Sequence, residues 1–199
     1  MAEAGRIIAG AAGGIRLRAP GEGTRPFADR VKQSLFAALE AGMEAPWEAP
    51  VLDLCAGSGA AGLEALSRGA PCAVLVEHDA GAVRTIEENV RRTRLSGAHV
   101  VRRDAVRFLS GGAAAAEPGT GGPFGLVIVD PPYAETALLA ALLGLLGDAA
   151  LGWLRDDAVV VAKHFWKDTP PERAGALVRA RARRFGETAL TEYRVEAGG

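Results

Sequence analysis

Short apolar runs recur along the chain, separated by stretches with helical periodicity. Val51–Leu54, Ala73–Val76, Val100–Val101, Leu126–Val129 and Ala158–Ala162 are continuous rather than alternating in apolar residues. That is the pattern of strands buried on both faces in a parallel sheet. The intervals between most of them read as helices, with Gly69 and Gly97 as stops. Upstream, Asp29 is placed to cap a helix whose apolar residues Val31, Leu35, Phe36 and Leu39 recur at helical spacing and which ends before Gly42. Strands alternating with helices predict an α/β fold, a mostly parallel sheet with helices on both faces. The last segment changes period: Ala176 to Arg183 alternates small or apolar residues with Arg, and a second strand, Ala189 to Val195, follows Gly186. An antiparallel closing hairpin fits it. Gly111 to Gly122, mostly Gly and Ala, is read as a flexible surface loop.

Composition narrows the class. A chain of 199 residues, 49% hydrophobic and 24% charged, holds one main domain with a core. Cys55 and Cys72 are too few for a disulfide framework and lie in no metal-binding cluster, which predicts a reducing cytosol and no metal site. No apolar window approaches the roughly 18 residues of a membrane span, so a cytoplasmic location and no membrane partner are expected. A net charge of -1 and a pI near 6.3 do not mark a strongly basic nucleic-acid binder. The arginines are clustered, however: Arg84, Arg91, Arg92, Arg94, Arg102, Arg103 and Arg107 in one stretch, Arg173, Arg179, Arg181, Arg183 and Arg184 in another. Solvated faces of a helix and an edge strand account for them more simply than phosphate contacts do. His78, His99 and His164 fall in no motif and are read as surface or loop residues.

Ligands of open α/β sheets bind beyond the carboxyl ends of the strands, which points to three places. The first is Asp53-Leu-Cys-Ala-Gly57-Ser58-Gly59-Ala-Ala-Gly62, a strand entering a glycine turn and then a helix. Glycine there lets backbone approach a ligand. Gly57, Gly59 and Gly62, with Glu77 downstream, also satisfy the dinucleotide-binding pattern, so the turn alone leaves NAD and S-adenosyl-L-methionine (SAM) both open. Asp53 favours SAM, because an acid at that point receives the cationic amino-acid end of that molecule. The second place is the pair of strand ends carrying Glu77 and Asp104. Glu77 is suited to two ribose hydroxyls, although Asp79 beside it is a competing acid; Asp104 is suited either to an adenine amino group or to capping the helix from Ala105 to Leu109. The third is Phe124-Gly-Leu-Val-Ile-Val-Asp130-Pro131-Pro132-Tyr133, an apolar strand ending in Asp-Pro-Pro-Tyr. Two prolines remove backbone donors and leave the Asp130 carboxylate and the Pro131 carbonyl as acceptors. That pair suits a planar NH2 group, and Tyr133 offers a face for stacking. A dehydrogenase has no use for it.

These residues together resemble the class I SAM-dependent methyltransferases with the amino-methylating [D/N]-P-P-[Y/F/W] signature, and more narrowly the RsmD family, which methylates guanine N2 in 16S ribosomal RNA. The narrower resemblance is carried by Arg6-Ile-Ile-Ala-Gly10 with Gly14 and Leu17, Thr24-Arg25-Pro26, Asp29-Arg30-Val31, Ser34-Leu35-Phe36, Leu52-Asp53-Leu54, and Gly62-Leu-Glu64-Ala-Leu-Ser67-Arg68-Gly69-Ala70. Arg184-Phe-Gly186-Glu187-Thr188-Ala-Leu190 is similar to the family's closing element. The resemblance implies a Rossmann-like fold with a mostly parallel seven-stranded sheet, residues 29–199 as the methyltransferase domain, and residues 1–28 as an RNA-contacting β-hairpin extension. It implies SAM held by Asp53, Ala56, Gly57, Ser58, Gly59, Glu77, His78, Asp104, Ala105 and Asp130, and catalysis by Asp130, Pro131, Pro132 and Tyr133. Arg6, Arg16, Arg18, Arg25 and Arg30, with Tyr133, would hold the substrate. The partner implied is ribosomal RNA or the small ribosomal subunit, and the chain a monomer. DNA adenine-N6 and protein-glutamine methyltransferases share the Asp-Pro-Pro-Tyr logic, although no target-recognition domain for DNA is evident; a noncatalytic RNA-binding factor would need no acceptor pair. Three departures stand out: Phe27-Ala28 where the family usually has Thr-Thr, Lys163 where it often has an acid, and Ala11-Ala-Gly-Gly14, less basic than usual.

Overall fold

The computed structural model describes residues 3–21, 27–43, 47–117 and 119–196, which form two compact units, 1–103 and 104–199. The first unit opens on an antiparallel pair, β1 (Glu3–Arg6) and β2 (Arg16–Arg18), followed by helix α1 (Asp29–Gly42). Strand β3 (Val51–Leu54), helix α2 (Ala60–Ser67), strand β4 (Ala73–Glu77), helix α3 (Ala80–Thr93) and strand β5 (Ala98–Arg102) then alternate. The three strands are parallel, with Val51 opposite Ala73 and Ala73 opposite Ala98. Every residue of β3, β4 and α2 is buried. For α2 this is possible because the N-terminal segment covers it: the Ile8 and Ala9 amides donate to the Glu64 carboxylate at 2.7 and 3.1 Å, and Ala12 N donates to Ser67 Oγ at 2.9 Å. Asn89 of α3 holds β2, accepting from Arg18 N at 2.8 Å and donating to Arg18 O at 3.0 Å.

Two helix-end expectations are corrected. The N-cap of α1 is Ala28, which makes no side-chain bond, and Asp29 is the first helical residue. Its carboxylate is taken by tertiary partners, accepting from Arg6 N at 3.0 Å and lying 3.8 Å from Lys32 Nζ. Phe27, one of the family departures, is buried. Helix α3 ends not at Gly97 but on Arg94, in the left-handed region at φ 54°. Gly97 serves a close approach instead, since a Cβ there would lie 2.6 Å from Pro71 O.

The second unit contains α4 (Ala105–Ser110), β6 (Phe124–Val129), α5 (Thr136–Leu146), β7 (Leu154–Phe165), β8 (Arg173–Ala174), β9 (Leu177–Phe185) and β10 (Thr188–Val195). β6 and β7 are parallel; β10 is antiparallel to both β7 and β9, and β8 is antiparallel to β9. Gly186, at φ 62°, turns the closing hairpin. Buried Trp153 anchors the core, its indole N–H donating to Leu109 O at 2.8 Å and its ring 4.9 Å from that of Phe108. Beyond the N-terminal pair the described strands number eight in place of seven. The addition is β8, two residues long and below any periodicity. No helix among the described residues is long and apolar enough to cross a membrane.

His164, expected at the surface, is buried in β7. Its Nδ1 faces Phe165 O and its Nε2 faces Thr191 Oγ1, both at 2.8 Å, so Nδ1 carries the proton and Nε2 accepts from the hydroxyl. Burial lowers its pKa below the ordinary 6.5. The unfolded chain therefore takes up a proton that the folded chain refuses. The stabilisation is complete above 6.5 and is lost as pH falls towards the folded value. The unfolding temperature of the wild type is expected to drop across that acid window, and His164→Gln to flatten the drop; equal slopes in a pH series of melting curves would remove the assignment.

Candidate active site

In the first unit the strand-to-helix turn alternates left-handed residues: Cys55 at φ 60°, Gly57 at φ 56° and Gly59 at φ 75°. Gly59 and Gly62 are glycine for packing, since a Cβ on either would come within about 3.0 Å of Leu75 Cδ2. At Gly57 a Cβ would meet nothing within 4 Å, so its bare backbone faces open space. A glycine kept by conformation in front of open space is what close approach of a ligand to the main chain requires. Two buried carboxylates shape this turn. Asp53 Oδ2 accepts from Gly62 N at 2.8 Å, tying the first turn of α2 to β3. Glu77 Oε2 accepts from Gly57 N at 2.9 Å while Oε1 accepts from His78 N at 2.7 Å and Asp79 N at 2.9 Å. The two neighbouring acids take different partners: Glu77 faces the Gly57 amide, and Asp79 caps α3 through Ala82 N at 2.7 Å. Ala56 and Ser58 are buried in the same turn, whereas the His78 ring is exposed. The structure thus gathers Asp53, Ala56, Gly57, Ser58, Gly59 and Glu77 in one place.

In the second unit Asp104 is exposed and caps α4 by accepting from Arg107 N at 2.9 Å, with Ala105 buried behind it. The Asp-Pro-Pro-Tyr segment leaves β6 directly. In the parallel register Val129 pairs with Ala162, so the next residue along each strand is Asp130 and Lys163. Their side chains meet: Lys163 Nζ lies 2.6 Å from Asp130 Oδ1, with side-chain exposures of 5% and 19%. Burial raises the Asp130 pKa above the usual carboxylate value, and the Lys163 ammonium opposes that shift. The same ammonium stands 5.1 Å from the centroid of the Tyr133 ring, and the Tyr133 hydroxyl is 2.6 Å from Thr188 Oγ1. Pro131 is buried and Pro132 exposed, its carbonyl accepting from Glu135 N at 2.9 Å. Lys163 was visible in the sequence only as a departure, and nothing in the sequence tied Thr188 to Tyr133.

The arginines assigned to substrate are mostly engaged with acids. Arg6 pairs with Asp29 at 3.5 Å, Arg18 with Glu88 at 2.7 Å, and Arg16 with Glu3. Arg30 is exposed, and Arg25 lies outside the described residues. Among the described residues no group of three or more His, Cys, Asp or Glu could hold a metal ion.

Comparison with known proteins places this geometry. Residues 5–194 match the family model described as Conserved hypothetical protein 95. The chain is 36% identical over 201 aligned positions to the ribosomal RNA small subunit methyltransferase D of Escherichia coli K12, covering 98% of this chain and 91% of that one. Among solved structures, a hypothetical protein of Thermus thermophilus is 38% identical with a TM-score of 0.79, covering 96% of this chain and 99% of the other. An rRNA methyltransferase of Streptomyces viridochromogenes shares the fold at a TM-score of 0.67 and 15% identity, with 87% of each chain covered.

Proposed function

The chain belongs to the RsmD family of methyltransferases, and on that footing we propose that it transfers a methyl group from SAM to the exocyclic N2 amino group of a guanine in 16S ribosomal RNA. The observation that carries the reading is the Asp-Pro-Pro-Tyr segment at the end of β6, with Asp130 held by Lys163 and Tyr133 held by Thr188.

SAM supplies an activated methyl on a sulfonium centre. For its cofactor role the turn from Asp53 to Gly59, with Glu77, is the fitting part of the chain, because Gly57 leaves the backbone bare; His78, Asp104, Ala105 and Asp130 complete the proposed set. Lys163 engages Oδ1 of Asp130; in the proposed reading the other carboxylate oxygen and the Pro131 carbonyl accept the two N–H bonds of the amine. Two acceptors in fixed positions orient the nitrogen, whose lone pair is otherwise conjugated into the base, and this positioning is the chief catalytic contribution. Pro132 keeps the segment stiff, and Tyr133 stacks on the base. The amine becomes cationic as it is methylated, and Asp130 stabilises that charge until the proton leaves to solvent. No covalent enzyme intermediate is needed. A paired guanine cannot present N2 in this way, so the target is an unpaired or flipped-out nucleotide.

The substrate is the small ribosomal subunit or its RNA, met in the cytoplasm by a monomer of this chain. Residues 1–28 form the RNA-contacting extension and residues 29–199 the methyltransferase domain. Arg6, Arg16 and Arg18 would exchange their carboxylate partners for phosphates, and Arg25 and Arg30 would join them. The test is transfer of labelled methyl from SAM to small subunits, and separately to deproteinised 16S RNA, from cells that lack the native guanine-N2 methyl groups. Label recovered as N2-methylguanosine is the expected result. SAM binding with no label in either substrate would refute the substrate and turn attention to DNA adenine or protein glutamine.

A further inference from the structure

Trp166 is the one exposed large hydrophobic side chain among the described residues, at 36% exposure. It directly follows β7, and its position is set by backbone: Trp166 N donates to Glu187 O at 3.1 Å, and Phe165 pairs with Thr188 across the sheet. Arg184 Cζ stands 3.5 Å from the centroid of its ring, and Lys167 Nζ stands 5.4 Å from it. Arg184 is steadied by its own turn, Nε donating to Gly186 O at 2.8 Å. The Trp166 ring is also 6.2 Å from that of Phe165, tilted from it by 55°, and Phe165 is 6.2 Å from Tyr133, tilted by 42°. A continuous row of three aromatic rings therefore runs from the Asp-Pro-Pro-Tyr segment to an exposed indole topped by a guanidinium.

Charge separates this patch from Arg173, Arg179 and Arg181 of the C-terminal arginine stretch. Arg173, Arg179 and Arg181 are each paired with a carboxylate, Glu196, Glu172 and Glu192 in turn. Among the described residues, Arg184 and Lys167 form no ion pair. Unpaired cations around an exposed indole match the chemistry by which single-stranded nucleic acid is held: a flat face for a base and positive charge for the backbone. A protein partner would be expected to bring an apolar patch wider than one side chain.

We propose that Trp166, Arg184 and Lys167 form a stacking platform for a nucleotide flanking the target guanine in single-stranded RNA. The inference rests on the methylation reading for the word target, but not for RNA binding itself. The experiment titrates a purine-rich single-stranded RNA of roughly twelve nucleotides into the protein, following tryptophan fluorescence, with wild type, Trp166→Leu and Arg184→Gln. It also measures methyl transfer to small subunits and SAM affinity for each. The expected result is quenching in wild type that disappears in Trp166→Leu, and a rise of about tenfold in KM for the subunit in both variants, with kcat and SAM affinity unchanged. Melting curves identify a misfolded variant, and Arg184→Gln, on an exposed side chain, keeps the question open to refutation should Trp166→Leu misfold. Variants with wild-type KM and wild-type RNA affinity overturn the platform while leaving guanine methylation intact. Trp166-dependent quenching in a protein that methylates no RNA overturns the methylation reading and keeps the platform.

Discussion

Asp130→Ala is expected to lower methyl transfer to small subunits by about a hundred- to a thousandfold, the size of effect seen when one preorganised electrostatic partner of a reacting centre is removed. SAM binding, which on the proposed reading draws chiefly on the glycine turn, should weaken far less. The variant also removes the carboxylate that lies 2.6 Å from the nearly buried Lys163 ammonium. Removing one member of a buried pair destabilises by about 3–5 kcal/mol, so loss of activity alone would be ambiguous. Asp130→Ala combined with Lys163→Met separates the effects: stability should return and activity should not. Lys163→Met alone carries a distinct signature. Burial already raises the Asp130 pKa and Lys163 opposes it, so without Lys163 the carboxylate forms only at higher pH. Activity that needs the carboxylate is present above that pKa and lost as pH falls through it. The acid limb of kcat/KM should therefore move to higher pH in Lys163→Met, with much of the rate recovered on the alkaline side. A limb that stays in place would show that Lys163 does not govern Asp130.

How much of this was legible from residues alone depended on whether a pattern is local. β3 coincides with the apolar run Val51–Leu54 because both faces of that strand are buried and every position reports it. β5 is only partly buried, so Val100–Val101 was visible and its ends were not. β7 extends from Leu154 to Phe165, well past the apolar run from Ala158 to Ala162. Arg155, Asp156, Asp157, Lys163 and His164 broke the run, and sheet pairing overrode them. In the candidate site the residue types and their strand-end positions were legible, since glycines, acids and prolines announce themselves. Their hydrogen bonds were not. Asp104 was legible as a strand-end acid, but its bond to Arg107 N, which caps α4, was not. The meeting of Asp130 with Lys163 follows from strand register, which no local pattern encodes. Trp166 and Arg184 are likewise brought together by the β7, β10, β9 pairing.

Glu64 shows the same distance problem from the side of stability, and its replacement should have the largest effect on folding. In sequence it sits inside a family motif with no evident task. In the structure it is fully buried and accepts from Ile8 N at 2.7 Å, Ala9 N at 3.1 Å and Arg68 Nε at 2.8 Å, with Lys32 Nζ 4.0 Å away. Lys32 is equally buried, donating to Arg6 O at 2.5 Å. Glu64→Ala leaves two backbone donors unsatisfied and removes one of two counter-charges from each of two cations, Lys32 keeping Asp29 and Arg68 keeping Glu40, an expected loss of about 3–5 kcal/mol. For a chain of this length that lowers the unfolding temperature by about 10 °C. The loss should depend on pH. Burial lowers the Lys32 pKa below the ordinary 10.5, and Glu64 and Asp29 oppose the shift, so the variant lowers it further. A group with a lowered folded pKa gives its full stability above the unfolded value and loses it as pH falls through the folded value. The gap between wild type and Glu64→Ala should accordingly narrow as pH rises towards 10.5, where the amine is neutral in both. Lys32→Met in the Glu64→Ala background divides the remaining loss. Partial recovery would assign the missing part to the buried ammonium left with Asp29 alone. No recovery would assign the whole loss to the Ile8 and Ala9 amides, and so to the grip of α2 on the N-terminal segment.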